Sequence, residues 1–113
     1  MPEPGALSMR SVRDGDTQVI TLAGELCLMS AAGLDQELRA VEQTPVQTIA
    51  VDLRKLTFID STGIRVLVRA QHRSWQEGDR LVVVRAAEGV RRIFELCGLA
   101  DRLAFVDEFP APA

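Results

Sequence analysis

The spacing of apolar residues changes several times along the chain, and each change predicts an element. Ser8–Val12 and Thr17–Leu22 alternate polar and apolar residues on either side of Asp14-Gly15-Asp16, which predicts a β-hairpin. The second strand ends in Ala23-Gly24-Glu25-Leu26. The period then lengthens: Ala31, Leu34, Leu38 and Val41 share one helical face, Ser30 is placed to cap that helix, and Thr44-Pro45 closes it. A third strand is predicted from Thr48 to Leu53. It leads through a connection, Arg54–Ile59, into the polar turn Asp60-Ser61-Thr62-Gly63. Beyond the turn, Ile64, Leu67 and Val68 fall at i, i+3 and i+4, so a second helix starts there and runs to Gly78. Leu81–Val84 is a continuous β-branched and aliphatic run, as expected of a strand covered on both faces and interior to its sheet. Val90, Ile93, Phe94 and Cys97 at i, i+3, i+4 and i+7 predict a third helix with Phe94 and Cys97 on its core face, and Gly98 stands at the left-handed C-terminal position. Leu103–Val106 predicts a last short strand.

Strands that alternate with helices predict an α/β domain. Its mixed sheet has about four or five strands, begins with an antiparallel hairpin and continues through right-handed parallel crossovers, with helices packed on it. Residues 1–113 are expected to form one domain with a core from about residue 8 to 109. Pro2, Pro4 and Gly5 at one end and Pro110 and Pro112 at the other read as loose ends.

Composition narrows the function classes. The chain has 113 residues, 47% hydrophobic and 26% charged, enough for a self-sufficient core. A net charge of −3 gives no general attraction to nucleic acid or to an anionic membrane surface. The start of the chain has no cationic segment followed by an apolar one, and no apolar run is long enough to span a bilayer, so a cytosolic protein is expected. Cys27 and Cys97 lie far apart without metal-ligand spacing and read as thiols, not as a disulfide. A lone His72 cannot build a multi-histidine site, and no metal or cofactor is expected.

The candidate chemistry sits at Asp60-Ser61-Thr62-Gly63. A hydroxyl pair at a helix N-terminus lies among unpaired backbone N–H groups and the positive end of the helix dipole, which accommodate negative charge, including a phosphate on the hydroxyl itself. The same four residues also make an ordinary helix cap. Catalysis would need Cys27 or Ser61 as nucleophile with His72 as base. His72 is eleven residues beyond Ser61, about three helical turns away, so no base is placed for it and the chain is not expected to be an enzyme. Trp75 reads as partly buried packing.

Three segments carry a family resemblance: Gly24-Glu25-Leu26; Asp52-Leu53 followed by Phe58-Ile59-Asp60-Ser61-Thr62-Gly63; and Val90-Arg91-Arg92-Ile93-Phe94-Glu95-Leu96-Cys97-Gly98-Leu99. They are collinear with the STAS domain family, and within it the chain resembles the stand-alone anti-sigma factor antagonists from about residue 8 to 109. The resemblance implies a partner-switching regulator. In its unmodified form such an antagonist binds an anti-sigma factor serine kinase of the histidine-kinase-like ATPase fold and so frees a sigma factor. The kinase phosphorylates the serine after the motif Asp, here Ser61, and a metal-dependent serine phosphatase reverses the mark. The implied partner-binding residues are Cys27, Asp60, Ser61, Thr62, Gly63 and Arg65. Two of these depart from the family pattern: Cys27 stands where many antagonists have Asp, and Arg65 where the family often has Gly. An adaptor role in a larger complex, such as a lipid-transport ATPase, would keep the fold without the phospho-switch.

Overall fold

Gly15, at φ 61°, lets Asp14 pair directly with Thr17, so the alternating segments close into a tight hairpin. Its strands are β1 (Leu7–Asp14) and β2 (Thr17–Leu26). They belong to a computed structural model that describes residues 6–109; the proline-bearing ends named above lie outside the described residues. The remaining elements are α1 (Ala31–Glu42), β3 (Thr48–Ile59), α2 (Ser61–Gln76), β4 (Leu81–Val84), α3 (Glu88–Leu96), a 3-10 turn (Ala100–Arg102) and β5 (Phe105–Val106). The sheet order is β1-β2-β3-β4-β5, with the hairpin antiparallel and every later pair parallel.

The predicted core face of α1 holds in full, whereas that of α3 fails at Cys97. Ala31, Leu34, Leu38 and Val41 of α1 are all buried. In α2 the buried set is Gly63, Ile64, Leu67, Ala70 and Gln71. Gln71 is fully buried and its amide is satisfied at both ends: Nε2 donates to the Leu81 carbonyl at 3.2 Å and Oε1 accepts the Ala104 N–H at 3.0 Å. This fixes α2 to the strand end beneath it and to the segment entering β5. Arg73 of α2 grips Glu42 of α1 through two bonds, of 2.7 and 2.8 Å. Neighbouring Ser74 Oγ accepts the Leu81 N–H at 2.8 Å, and the inward face thereby passes through Ser74 and leaves Trp75 47% exposed, further out than the sequence suggested.

Four boundaries differ from expectation. The segment Arg54–Ile59, read as a connection, is the second half of β3. Its partner register steps from Thr21/Asp52 to Ala23/Lys55 and from Gly24/Leu56 to Glu25/Phe58, so β3 carries two extra residues against β2. Those bulges place the buried residues Leu53, Leu56 and Ile59 three apart, which hides the strand from a period-two reading. Ser30 starts α1 without capping it: its Oγ instead accepts the Cys27 N–H at 3.0 Å and donates to the Glu25 carbonyl at 2.8 Å. Cys97 is exposed, because α3 ends at Leu96 and the chain reverses at Gly98, at φ 68°. The Gly98 N–H reaches the Glu95 carbonyl (3.1 Å) and the Leu99 N–H the Phe94 carbonyl (3.1 Å), so Leu99, not Cys97, folds back onto the core. The last strand is only Phe105–Val106; Phe105 meets the buried Phe94 edge-on at 5.3 Å between ring centres.

Candidate functional site

Asp60 is the residue that assembles the site. It follows the last residue of β3 in an extended conformation and is the N-cap of α2. One carboxylate oxygen accepts the Gly63 N–H and the other the Leu28 N–H, each at 3.0 Å. Its own N–H donates to the Leu26 carbonyl at 3.1 Å, and its carbonyl accepts the Ile64 N–H at 3.0 Å. One short side chain therefore ties the start of α2 to the loop after β2. The helix cap expected from the sequence is present, but its hydrogen-bonding group is the Asp60 carboxylate, which leaves the Ser61 hydroxyl outside the cap.

Ser61 is the first residue of α2 and is exposed; Thr62 is partly buried. Gly63 is buried for reasons of space. A Cβ there would lie 2.7 Å from Leu26 Cγ, 2.8 Å from the Leu26 carbonyl oxygen and 3.2 Å from Ile59 Cγ1. Only the absence of a side chain lets α2 sit this close to the ends of β2 and β3. Arg65 is exposed one turn further on. With Ser61, Ile64, Val68 and Leu99 it lines an open hollow beside the helix.

Cys27 is brought to the same corner by its loop but is 9% exposed, so little of it reaches the surface. What this loop presents is Leu28 and Met29, 74% and 79% exposed. The sequence reading passed over both; their signal was an apolar pair between a strand and a helix that fits the period of neither. Phe58, 43% exposed near the end of β3, belongs to the motif and was read only for its pattern. Thus Asp60, Ser61, Thr62 and Gly63 form one rigid turn, Arg65 shares a hollow with Ser61, and Cys27 stands behind the loop that Asp60 holds. His72 lines a second hollow further along α2, with Val68, Arg69, Arg73 and Arg102, away from Ser61.

The other acidic motif residue, Asp52, is buried in β3. Burial pushes its carboxyl upward, but hydrogen bonds from the Arg54 guanidinium and N–H, with the charges of Arg54 and Lys55, outweigh that and hold it below its ordinary value. The guanidinium contacts are 2.8 to 3.2 Å. This pair supports the strand leading into the turn. Among the described residues no three His, Cys, Asp or Glu side chains gather as a metal site, and no helix is long and apolar enough to cross a membrane.

Residues 9–107 match the family model described as "Mlab, STAS domain". The Anti-sigma-B factor antagonist of Listeria monocytogenes is 30% identical over 89 residues, covering 79% of this chain and 78% of that protein. The crystal structure of an anti-sigma factor antagonist from Mycobacterium paratuberculosis superposes with a TM-score of 0.83 at 21% identity, covering 96% of this chain and 92% of that one. The anti-sigma factor antagonist SpoIIAA in its unphosphorylated form gives 0.67 at 26% identity over 91% of this chain and 90% of that one. Its phosphorylated form, from Bacillus, gives 0.64 at 24% identity, covering 91% and 93%.

Proposed function

The chain belongs to the STAS domain family, and from that premise we propose that it is an anti-sigma factor antagonist switched by phosphorylation of Ser61. Unmodified, it binds an anti-sigma factor serine kinase in the cytosol and releases a sigma factor; phosphorylation ends that binding, and a serine phosphatase restores it. The name of the Listeria relative supports the antagonist role, and the existence of SpoIIAA in unphosphorylated and phosphorylated forms supports the switch.

The observation that carries the reading is the exposed Ser61 hydroxyl on a turn already locked by Asp60. A phosphate there adds about −1.5 to −2 charges, which the helix N-terminus partly compensates, so the fold accommodates it. A partner covering the turn meets a dianion beside Asp60 instead. A repulsion and desolvation cost of about 3 kcal/mol weakens binding roughly a hundredfold. Cys27, Asp60, Thr62, Gly63 and Arg65 shape this surface: Asp60 and Gly63 through geometry, Cys27 from behind the loop, Thr62 and Arg65 by flanking the hydroxyl.

Incubation with candidate anti-sigma kinases and ATP, followed by peptide mapping, tests the proposal. Phosphate is expected on Ser61 and absent from Ser61→Ala. Phosphate confined to Thr62, or on neither residue with any candidate kinase, overturns the switch, and co-purification with a transporter ATPase in place of a kinase would favour the adaptor role.

A further inference from the structure

The hollow beside Ser61 does not stand alone. It shares Val68 with the second hollow, so the two form one groove that runs from Ser61 along α2 and faces the Leu99–Arg102 segment. Its floor is apolar: Val68 and Leu99 are partly exposed and pack on the core around buried Ile64. Its rims are cationic, with Arg65, Arg69 and Arg73 on α2 and Arg102 opposite, and no carboxylate lines either hollow. Arg73 is neutralised by Glu42. Arg65, Arg69 and Arg102 are exposed and make no ion pair among the described residues. Three uncompensated arginines thus face one groove in a chain whose net charge is −3.

The spacing narrows what fits. Arg65 and Arg69 are four residues apart on one helix, so their guanidinium stems rise about 6 Å from one to the next. A second helix laid along α2 with carboxylates at every fourth position repeats that interval, and an aliphatic residue on its adjacent face covers Val68 and Leu99. A polyanion such as nucleic acid would meet the overall negative charge and leave the apolar floor unused. We infer that this groove takes an acidic amphipathic helix of the protein partner, with Arg69 and Arg102 determining which partner is accepted. The inference rests on the reading that the partner docks at the Ser61 turn, and it extends that surface along α2. It also gives phosphorylation a second effect: a phosphate on Ser61 draws Arg65, one turn away, and so removes a cation from the row that the partner's carboxylates use.

Two measurements on the full chain test it. The first is a titration followed by amide chemical shifts, using a synthetic peptide about 15 residues long with Glu at every fourth position and Leu between, against the same peptide with Lys for Glu. Shifts confined to Ile64–Arg73 and Leu99–Arg102 with the acidic peptide alone are expected. Shifts elsewhere, or equal response to both peptides, overturn the proposal, as does binding of phosphatidylglycerol vesicles at this face without binding of the acidic peptide. The second measures kinetics with an anti-sigma kinase shown to phosphorylate the protein. Arg69→Glu and Arg102→Glu should each weaken binding about tenfold, mainly through association and less at high salt, while Arg10→Glu on β1 leaves it unchanged. Equal losses from Arg10→Glu would mean general charge attraction and overturn the groove. Full binding by Arg69→Glu and Arg102→Glu, with Ser61→Asp still impaired, overturns the groove and leaves the switch standing. If no kinase binds, the switch reading fails, and the peptide titration still decides whether the groove takes an acidic helix.

Discussion

The Asp60 carboxylate accepts the backbone N–H of Leu28 at 3.0 Å across 32 positions of sequence, while its other oxygen caps α2 through Gly63. A single residue thereby couples the geometry of the Ser61 turn to the loop that exposes Leu28 and Met29. Asp60→Ala should cost about 0.5–2 kcal/mol, most of it the lost cap, because the Leu28 N–H is exposed enough for water to replace its partner. Asp60→Asn keeps an acceptor and should lose less. Urea denaturation orders the three proteins; amide exchange at Leu28 should quicken in Asp60→Ala beyond what its lower global stability explains.

Gly63 presents two opposed effects of known size. In a helix, Gly→Ala should gain about 1 kcal/mol from propensity. Here the added methyl meets the Leu26 carbonyl at 2.8 Å and Leu26 Cγ at 2.7 Å. Backbone cannot yield cheaply, and overpacking of this kind costs about 1–3 kcal/mol, so Gly63→Ala should destabilise. A melting temperature at or above that of the wild type would show that α2 moves away without penalty.

These two residues also show what could be read in advance. The motif located the turn, and the change of period at Ile64 located the helix, because both are local signals. That Asp60 reaches Leu28, or that Gly63 is needed for space and not for backbone freedom, depends on how two distant segments approach. The same distinction explains the misplaced β3 boundary: Leu53, Leu56 and Ile59 follow a spacing of three set by register shifts against β2, which no reading of β3 alone contains. Gln71 carries no local signal of its burial, because its partners at Leu81 and Ala104 lie on other segments.

The α3 face gives a paired prediction. Phe94 is only 1% exposed and meets Phe105 edge-on, so Phe94→Ala should cost about 3–5 kcal/mol. Cys97 caps the helix in the open, and Cys97→Ser should change stability by less than about 0.5 kcal/mol. Similar losses for both in denaturant titrations would contradict the reversal at Gly98.

Asp52 sets an acid limit. Its folded carboxyl is held below the ordinary value of 3.8, so the stability it contributes is complete above that value and is lost as pH falls through the lower, folded one. Arg54→Ala removes the largest of the lowering influences and brings the folded carboxyl back toward its ordinary value or above it. The variant should therefore be less stable than the wild type at neutral pH but lose less on acidification, so the gap between the two narrows as pH falls below that value. Urea midpoints measured from neutral pH downward check the direction; a gap that stays constant would mean that Asp52 finds another cation.

Phosphorylation itself should leave the fold nearly as stable as before, and the reason lies in three small terms around Ser61. A dianion at the first position of α2 interacts favourably with the helix N-terminus by about 0.3–1 kcal/mol. Arg65, four residues on and lining the same hollow, adds about 0.2–0.5 kcal/mol when it swings to the phosphate. Against these stands repulsion from Asp60, whose carboxylate is already committed to Gly63 and Leu28 and so holds its charge close by. The sum should fall within about 1 kcal/mol of zero, well below the loss of partner affinity proposed above. Protein carrying phosphoserine at 61, compared with unmodified protein and with Arg65→Ala in both forms, measures the terms as a cycle. The phosphate should be less favourable by a few tenths of a kcal/mol in Arg65→Ala, and high salt should narrow that gap. Loss of several kcal/mol on phosphorylation alone would mean that the modification disrupts the turn, and partner release would then follow from unfolding at α2 instead of from charge on an intact surface.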